Sequence, residues 1–383
     1  MNPSPASLPD ETPGLYLHVP FCHEKCRYCG FYSERLRSHD PSSLVAALLA
    51  ELDRYRDVRS VRTVYIGGGS PTSLPPELLA EIITAIKARW PAPEEFTVEC
   101  NPGQTDERVV SMLRHHGVDR LSLGVQSFHA KELAFLGRRH SVERAIESVR
   151  VAQRLGFDHV SIDLVFAIPG STLVSWRRCL QSAAALGVQH ISAYSLSYEP
   201  GTPLEVARRA GQFRTIDEET DRAMYEMAID FLGSAGFAQY EISNFAQSGY
   251  ACLHNQGYWQ NRPYIGIGPA AGSYWQGRRT VNFADIRQYI QRIEAGSDAY
   301  ELSAHPDRNE RLCETAVLNL RTREGVDLAA FERCTGVDFR RAFEVPLRRH
   351  NRGGLIEISD DRVRLTRNAL AVADSVLCDF SCL

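Results

Sequence analysis

Strand-like and helix-like segments alternate in strict succession from residue 15 to residue 196, and this alternation narrows the fold more than any other feature. Strand patterns cover 15–19, 61–66, 96–99, 120–125, 160–166 and 190–196. Between them lie helical patterns: 42–53 with Leu44, Val45, Leu48, Leu49 and Leu52 on one stripe, 76–89 opening on a proline, and 106–116, 141–155 and 173–186, closed by Gly117, Gly156 and Gly187. Proline suits the first helical turn and glycine the position just past the last. Strands separated by helices of this length pair in parallel, because a parallel partner is reached only through a crossover. The fold class is therefore α/β. Six repeats suit a barrel or partial barrel, with a doubly wound sheet as the alternative. In barrels the working residues lie on loops after the C-terminal ends of the strands.

Several chemistry-bearing motifs fall at those ends. The first strand runs into Cys22-His23-Glu24-Lys25-Cys26-Arg27-Tyr28-Cys29, a C-x3-C-x2-C triplet. Thiolates hold iron–sulfur clusters, usually four to a cubane, so three leave one iron open to chelate a small molecule. A zinc site is the competing reading, with His18 or His23 closing a tetrahedral set. The second strand ends in Gly67-Gly68-Gly69-Ser70-Pro71-Thr72, where glycines let backbone approach a ligand closely. The lysine and spacing of a phosphate loop are missing. Glu99 and Asn101 end the third strand and Gln126 the fourth; Arg138 and Asp163 follow in later units. Singly each suits a cap or a surface position. Together they form a polar ring for a charged ligand.

Composition bounds the rest. The chain has 383 residues, 44% of them hydrophobic, and a net charge of −4, which gives no electrostatic case for a nucleic-acid partner. No apolar run is long enough for a membrane span. The first fourteen residues are polar and proline-rich without a signal pattern, so they read as a flexible lead-in and the protein as cytoplasmic. Reduced thiols follow from that compartment, and Cys100, Cys179, Cys252, Cys313, Cys334, Cys378 and Cys382 read as small buried hydrophobes. A metal role for Cys378 and Cys382, four residues apart, is the alternative.

Beyond residue 245 the character changes. An aromatic, Gly- and Pro-rich region (246–304) reads as a linker with a helix at 285–294, and 305–383 as a small helical domain of winged-helix type. That shape brings DNA to mind, but no concentrated basic face supports it.

The cysteine triplet, the Gly67–Thr72 loop, Glu99-Cys100-Asn101-Pro102-Gly103, 121–128, Leu136-Gly137-Arg138, 163–170 and Tyr240-Glu241-Ile242-Ser243-Asn244-Phe245-Ala246 together resemble the radical S-adenosylmethionine (SAM) family that contains oxygen-independent coproporphyrinogen III dehydrogenase and a heme-chaperone branch. The likeness runs from about 14 to 380. It implies a partial (β/α)6 barrel (15–245) followed by the C-terminal domain. It implies that Cys22, Cys26 and Cys29 hold a [4Fe–4S] cluster, that Tyr16, Gly68 and Glu99 contact SAM bound to it, and that Tyr28, Gly69, Ser70, Gln126, Arg138 and Asp163 match contacts to a second SAM. A reductant such as flavodoxin or ferredoxin is implied as electron source.

Two features point to the chaperone branch. The dehydrogenase extends its triplet by a fourth cysteine where this chain has Phe31, and it carries a long N-terminal extension where only 21 residues precede Cys22. A third is His254-Asn255-Gln256-Gly257-Tyr258-Trp259, which resembles the H-N-x-x-Y-W motif of that branch. Imidazole is a standard axial heme ligand, and the resemblance implies heme contact at His254. A hydrogen-bonded structural histidine in an aromatic cluster is the other reading. One departure is Gly272, where the branch commonly has histidine. The expected function is heme binding and transfer to an acceptor protein, with peripheral membrane contact only through that acceptor. Anaerobic decarboxylation of coproporphyrinogen III and radical SAM methylation are the enzymatic alternatives, so enzyme status stays open.

Overall fold

A computed structural model describes residues 12–381. Most of the 1–14 lead-in, and Cys382, lie outside the described residues. Six parallel strands form the centre: β1 (Gly14–Val19), β2 (Thr63–Gly68), β3 (Glu95–Cys100), β4 (Arg120–Gln126), β5 (His159–Phe166) and β6 (His190–Ser195), each hydrogen-bonded to the next. The crossover helices are α1 (Pro41–Asp53), α2 (Pro76–Arg89), α3 (Glu107–His115), α4 (Ala130–Leu136), α5 (Val142–Arg154) and α6 (Leu173–Ala185). Local chemistry starts them where expected. Asp106 and Ser141 accept hydrogen bonds from the backbone of their first turns, and Thr172 and Ser175 form a reciprocal box. Helix α1 buries Leu44, Leu48 and Leu52, one per turn, against the sheet. Each such side chain contributes about 1.5–3 kcal/mol.

Four elements follow the last crossover: α7 (Pro203–Arg209), α8 (Glu218–Ser234), β7 (Ala238–Gln239) and β8 (Asn244–Ala246). Then come α9 (Leu253–Trp259), β9 (Tyr264–Ile267), β10 (Gly272–Trp275), β11 (Arg278–Asn282), α10 (Ile286–Glu294) and β12 (Tyr300–Ala304). The region expected to be a linker thus holds four strands and two helices. β9 pairs parallel with β1, Gly14 opposite Tyr264, and β10–β12 extend that edge antiparallel. The sheet order is β12-β11-β10-β9-β1-β2-β3-β4-β5-β6-β8-β7. It is open at both ends, so the barrel is partial. The buried Glu51 carboxylate of α1 anchors the added block, accepting from Gly268 N (2.8 Å), Asn282 Nδ2 (2.9 Å) and Tyr289 Oη (2.6 Å).

The remainder is a C-terminal helical domain. It comprises α11 (Arg308–Leu320), β13 (Val326–Asp327), α12 (Leu328–Thr335), α13 (Phe339–Ala342), α14 (Glu344–Arg352), β14 (Ile356–Ile358), β15 (Arg362–Leu365) and α15 (Ala373–Cys378). Phe343 separates α13 from α14, and a 3-10 turn (Arg367–Val372) leads into α15. Among the described residues no helix is long and apolar enough to cross a membrane.

Candidate functional site

The central strands are two-faced. Leu15, Leu17, Val64, Ile66, Phe96, Val98, Leu121, Leu123, Val160 and Ile162 are fully buried in the aliphatic core shared with the helices. The alternate residues are polar: Tyr16 and His18, Thr63 and Tyr65, Glu95, Thr97 and Glu99, Arg120 and Ser122, Ser161 and Asp163, His190 and Ser192. Strands of an all-parallel sheet are ordinarily apolar on both faces. A polar inner face therefore marks a cup built for a polar ligand, and period-2 alternation within each strand is the sequence signal that could have shown it.

The cysteine loop stands at the mouth of this cup. Phe21 and Cys22 pair with Glu34 and Arg35, which closes the loop at its base. The glycine loop is bound to the same base: Gly69 N donates to Val19 O (2.9 Å) and Ser70 N to Phe21 O (2.8 Å). On the far side Arg27 N donates to Leu136 O (3.1 Å) and Leu204 N to Arg27 O (2.9 Å). Tyr28 packs against a separate apolar cluster of Leu136, Val165, Ile168, Leu196 and Leu204. Cys22, Cys26 and Cys29 are all half-buried on this loop. Among the described residues no three Cys, His, Asp or Glu side chains converge closely enough for one metal ion. A cubane takes each thiolate on a different iron, so this donor set suits a cluster better than mononuclear zinc. His18 is no zinc ligand here. Its Nε2 bonds Tyr32 O (3.0 Å) and its Nδ1 the Tyr16 hydroxyl (2.8 Å).

Of the sequence-predicted residues, Tyr16, Gly68 and Glu99 come together. Glu99 accepts from Gly68 N (3.1 Å) and Tyr65 Oη (2.8 Å). Gly68 has φ +112°, and a Cβ there would lie 2.7 Å from the His18 ring, so only glycine fits. Arg138 reaches the cluster loop, donating to Cys26 Sγ (3.3 Å) and, through its other Nη, to Gly124 O. Gln126 ends β4 beside a register shift and holds φ +69°, a conformation rare for a non-glycine and concentrated at functional sites. Asp163 accepts from Ser122 Oγ (3.3 Å). Ser70 donates to Gln104 Oε1 (2.9 Å), an acceptor it shares with Thr72 and Ser73. Gln104 carried no sequence signal, because it lies in a loop with no motif of its own.

Two carboxyls in the cup are held toward neutrality. Burial, reinforced by the Asp163 charge, pushes Glu99 up to about 7, and burial pushes Asp163 up to about 6. The sign for stability follows. Folded Glu99 keeps its proton between its ordinary 4.5 and about 7, where the unfolded chain has lost it. The associated stability is complete below the lower value and disappears as pH rises through the upper one. Because the mouth admits water, the effect is put at about 1–3 kcal/mol. Urea unfolding at pH 5 and 7.5 will show wild type losing that much more stability over the interval than Glu99→Gln. Equal losses in both chains would refute the assignment.

His254 lies one ring away from Glu99, across Tyr65. Its Nδ1 bonds Thr63 Oγ1 (2.8 Å), its Nε2 bonds Tyr258 Oη (3.0 Å), and its ring stacks on Tyr65 at 5.1 Å. Thr63 opens β2 whereas the glycine loop closes it, so His254 lies toward the start of the strand, with the Tyr65 ring between it and Gly67. There α9 plugs the floor of the cup. Glu95 Oε1 accepts from His254 N (3.1 Å) and Cys252 Sγ (3.3 Å), Oε2 accepts from Leu253 N (3.2 Å), and the same carboxylate pairs with Arg120 Nε (2.8 Å). Burial drives the His254 imidazole down to about 3, so it is neutral. Gly272 opens β10, and a Cβ built on it makes only ordinary contacts, with Thr280 O at 3.8 Å and Tyr264 Oη at 4.0 Å.

Comparison with known proteins gives the family and the fold. Residues 16–183 match the Radical SAM superfamily and 307–372 the HemN C-terminal domain. The heme chaperone HemW of Bacillus subtilis is 33% identical over 367 residues, 94% of this chain and 97% of that protein. HemW of Mycobacterium tuberculosis is 34% identical over 389 residues, 98% and 96% of the two chains. Among solved structures, coproporphyrinogen III oxidase (HemN) from Escherichia coli superposes with a TM-score of 0.85 over 98% of this chain and 91% of its own, at 21% identity, a likeness of fold. With a cysteine loop at the mouth of a polar half-barrel and near full-length relatives above 30% identity, the chain belongs to the radical SAM family, in the group of the heme chaperone HemW.

Proposed function

We propose that this protein binds heme and hands it to an acceptor protein, with a [4Fe–4S] cluster and SAM coupled to the transfer. The observation that carries the reading is the near full-length similarity to proteins called heme chaperone HemW. Phe31, standing where the dehydrogenase has its additional cysteine, supports it. Cys22, Cys26 and Cys29 would hold the cluster. Tyr16, Gly68 and Glu99 would receive SAM. Arg138, Asp163, Gln126, Tyr28, Gly69 and Ser70 would line a second ligand position beside it. When bound, these cofactors supply one-electron chemistry at a sulfonium carbon–sulfur bond. The chain's own part is to hold them, orient them through the Tyr16–His18–Tyr32 links, and keep Glu99 and Asp163 poised to exchange protons.

The test is an anaerobic heme titration of the cluster-reconstituted protein, followed by visible absorbance, with saturation near one heme per chain expected. Absence of saturable binding would sink the reading and direct attention to coproporphyrinogen III turnover. His254→Ala belongs in the same experiment. Iron ligation by His254 requires one ring nitrogen to give up its partner and the floor to open. We therefore expect the variant to lose about 2 kcal/mol of stability, two hydrogen bonds at about 1 kcal/mol each, while its heme spectrum stays unchanged. A shifted heme band at unchanged stability would make His254 a heme ligand instead.

A further inference from the structure

A row of aromatic rings runs down one side of the cup. Tyr16 faces Tyr65 at 6.3 Å between ring centroids, Tyr65 stacks on His254 at 5.1 Å, His254 meets Tyr258 edge-on at 4.8 Å, and Tyr258 meets Tyr264 at 4.6 Å. The row starts at the Glu99 group and ends at a small pocket in the floor, lined by His254, Tyr258, Tyr264, Arg62 and Arg262. Packing energy alone would account for the rings. It does not account for their hydroxyls. Each of three phenols is hydrogen-bonded to a base: Tyr16 to His18 Nδ1 (2.8 Å), Tyr65 to Glu99 Oε1 (2.8 Å) and Tyr258 to His254 Nε2 (3.0 Å). His18 Nε2 donates to the carbonyl of Tyr32 (3.0 Å), which leaves Nδ1 as the acceptor for Tyr16. A phenol gives up an electron readily only when its proton can leave with it, and a base within about 2.6–3.2 Å is what that transfer needs. Tyr264 is built differently. Its hydroxyl accepts from Arg279 Nη1 (3.2 Å), and the guanidinium lies 5.8 Å from its ring centre. A cation there opposes loss of an electron.

We propose that Tyr16, Tyr65 and Tyr258 form a relay that drains oxidising equivalents from the cup to its floor, with the His254 ring as the bridge and Tyr258 as the terminus. The inference rests on the reading of the cup as a site of one-electron chemistry. The oxidant is a carbon-centred radical left in the cup without a substrate. It takes one electron from Tyr16 and one proton from water in the cup, while the Tyr16 proton shifts to His18. Tyr16 then recovers its electron from Tyr65 and its proton from His18, and Tyr65 hands its own proton to Glu99. The same exchange passes across the His254 ring to Tyr258, whose proton goes to Nε2, the acceptor nitrogen when Nδ1–H is donated to Thr63. A small thiol entering the floor pocket restores Tyr258 with one electron and releases its proton to water, and His254 returns the phenol proton. In sum the radical gains one electron and one proton and the thiol loses one of each. Such a drain spares the cysteine loop.

The test supplies the oxidant by light, so that it does not depend on the cofactors. A ruthenium tris-bipyridyl photo-oxidant is attached to Cys26 in the full chain, with Cys22, Cys29, Cys334, Cys378 and Cys382 replaced by serine. A nitroso spin trap is present during the flash, and its adducts are located by peptide mass spectrometry. The adduct is expected on Tyr258 and not on Tyr264. Tyr65→Phe keeps the stacked ring but removes the oxidisable hydroxyl, and should lower the Tyr258 adduct severalfold while adducts persist at Tyr16. Tyr258→Phe should move the adduct back to Tyr65, and Tyr264→Phe should change nothing. A Tyr258 adduct that is unchanged in Tyr65→Phe, or adducts spread over exposed tyrosines without Tyr258, would overturn the relay alone. The reading beneath it is tested separately on the wild-type chain after anaerobic reconstitution. A chain that holds no cluster, or a cluster whose electron paramagnetic resonance spectrum SAM leaves unmoved, would overturn one-electron chemistry in the cup and leave the photo-oxidation result standing.

Discussion

Glu95→Ala will cost this protein about 3–5 kcal/mol, the usual effect of removing one partner from a buried ion pair. Against a total stability of about 5–15 kcal/mol, that is enough to unfold a large share of the molecules. Both side chains of the pair are almost wholly enclosed, Glu95 at 4% and Arg120 at 2% exposure. The truncation strands the Arg120 guanidinium, whose other hydrogen bonds are to Tyr250 O (2.9 Å), Ala251 O (3.5 Å) and the His159 ring (3.3 Å). It also releases the backbone N–H groups of Leu253 and His254 that the carboxylate holds at the start of α9. The floor of the cup should therefore open along with the pair. Urea denaturation measures the loss. Arg120→Met combined with Glu95→Gln removes the charge from both sides and should be milder than Glu95→Ala, because no ion is left unpaired. A loss below 1 kcal/mol for Glu95→Ala would show that the pair does not organise the floor.

Gly69→Ala is expected to strip the protein of most of its iron. A Cβ at this position would lie 2.6 Å from Phe21 O, 2.9 Å from Phe21 C and 3.0 Å from Phe21 N. All three are backbone atoms, so no rotamer change relieves the contact. Either the glycine loop or the base of the cysteine loop has to move, and the bond from Ser70 N to Phe21 O goes with it. Overpacking of this kind costs about 1–3 kcal/mol. Its functional cost is larger, since ligands must be held within a few tenths of an ångström for a cluster to assemble. Iron per chain after anaerobic reconstitution should fall severalfold, together with the absorbance near 400 nm. Gly233→Ala is the control: it lies in α8 with no atom within 4 Å of the added methyl, and should leave iron content untouched. Full iron loading in Gly69→Ala would mean that the two loops are less rigidly joined than the structure has them.

Much of the barrel was legible because its signals are local. Helices 76–89 and 173–186 have proline at one end or glycine at the other, and an apolar stripe between. What escaped lay outside the simple alternation. Helix α8, seventeen residues capped by Asp217 with an acidic first turn, follows β6 only after the intervening α7. Strands β9–β12 are four or five residues each and lie among aromatics and glycines that resemble loop composition. Within the site, the cysteines and the glycine run announced themselves by spacing. Gln104, Tyr65 and the Glu95–Arg120 pair did not, because each acts through a partner on another strand or loop.

The sequence by itself determined the βα repeat, the start and stop of most helices, the thiol triplet with Phe31 beyond it, and the family. All of these rest on residues within a turn or a strand of one another. Only the tertiary structure decided that residues 264–304 complete the sheet, that the Glu95–Arg120 pair holds the floor, and that His254 lies beneath the cup with both nitrogens engaged. Those outcomes depend on pairings such as Gly14 with Tyr264 and Thr63 with His254, about two hundred residues apart and more. Such contacts are selected by complementary shape and hydrogen-bonding need once the barrel exists, and neither partner's neighbours in the chain encode the other.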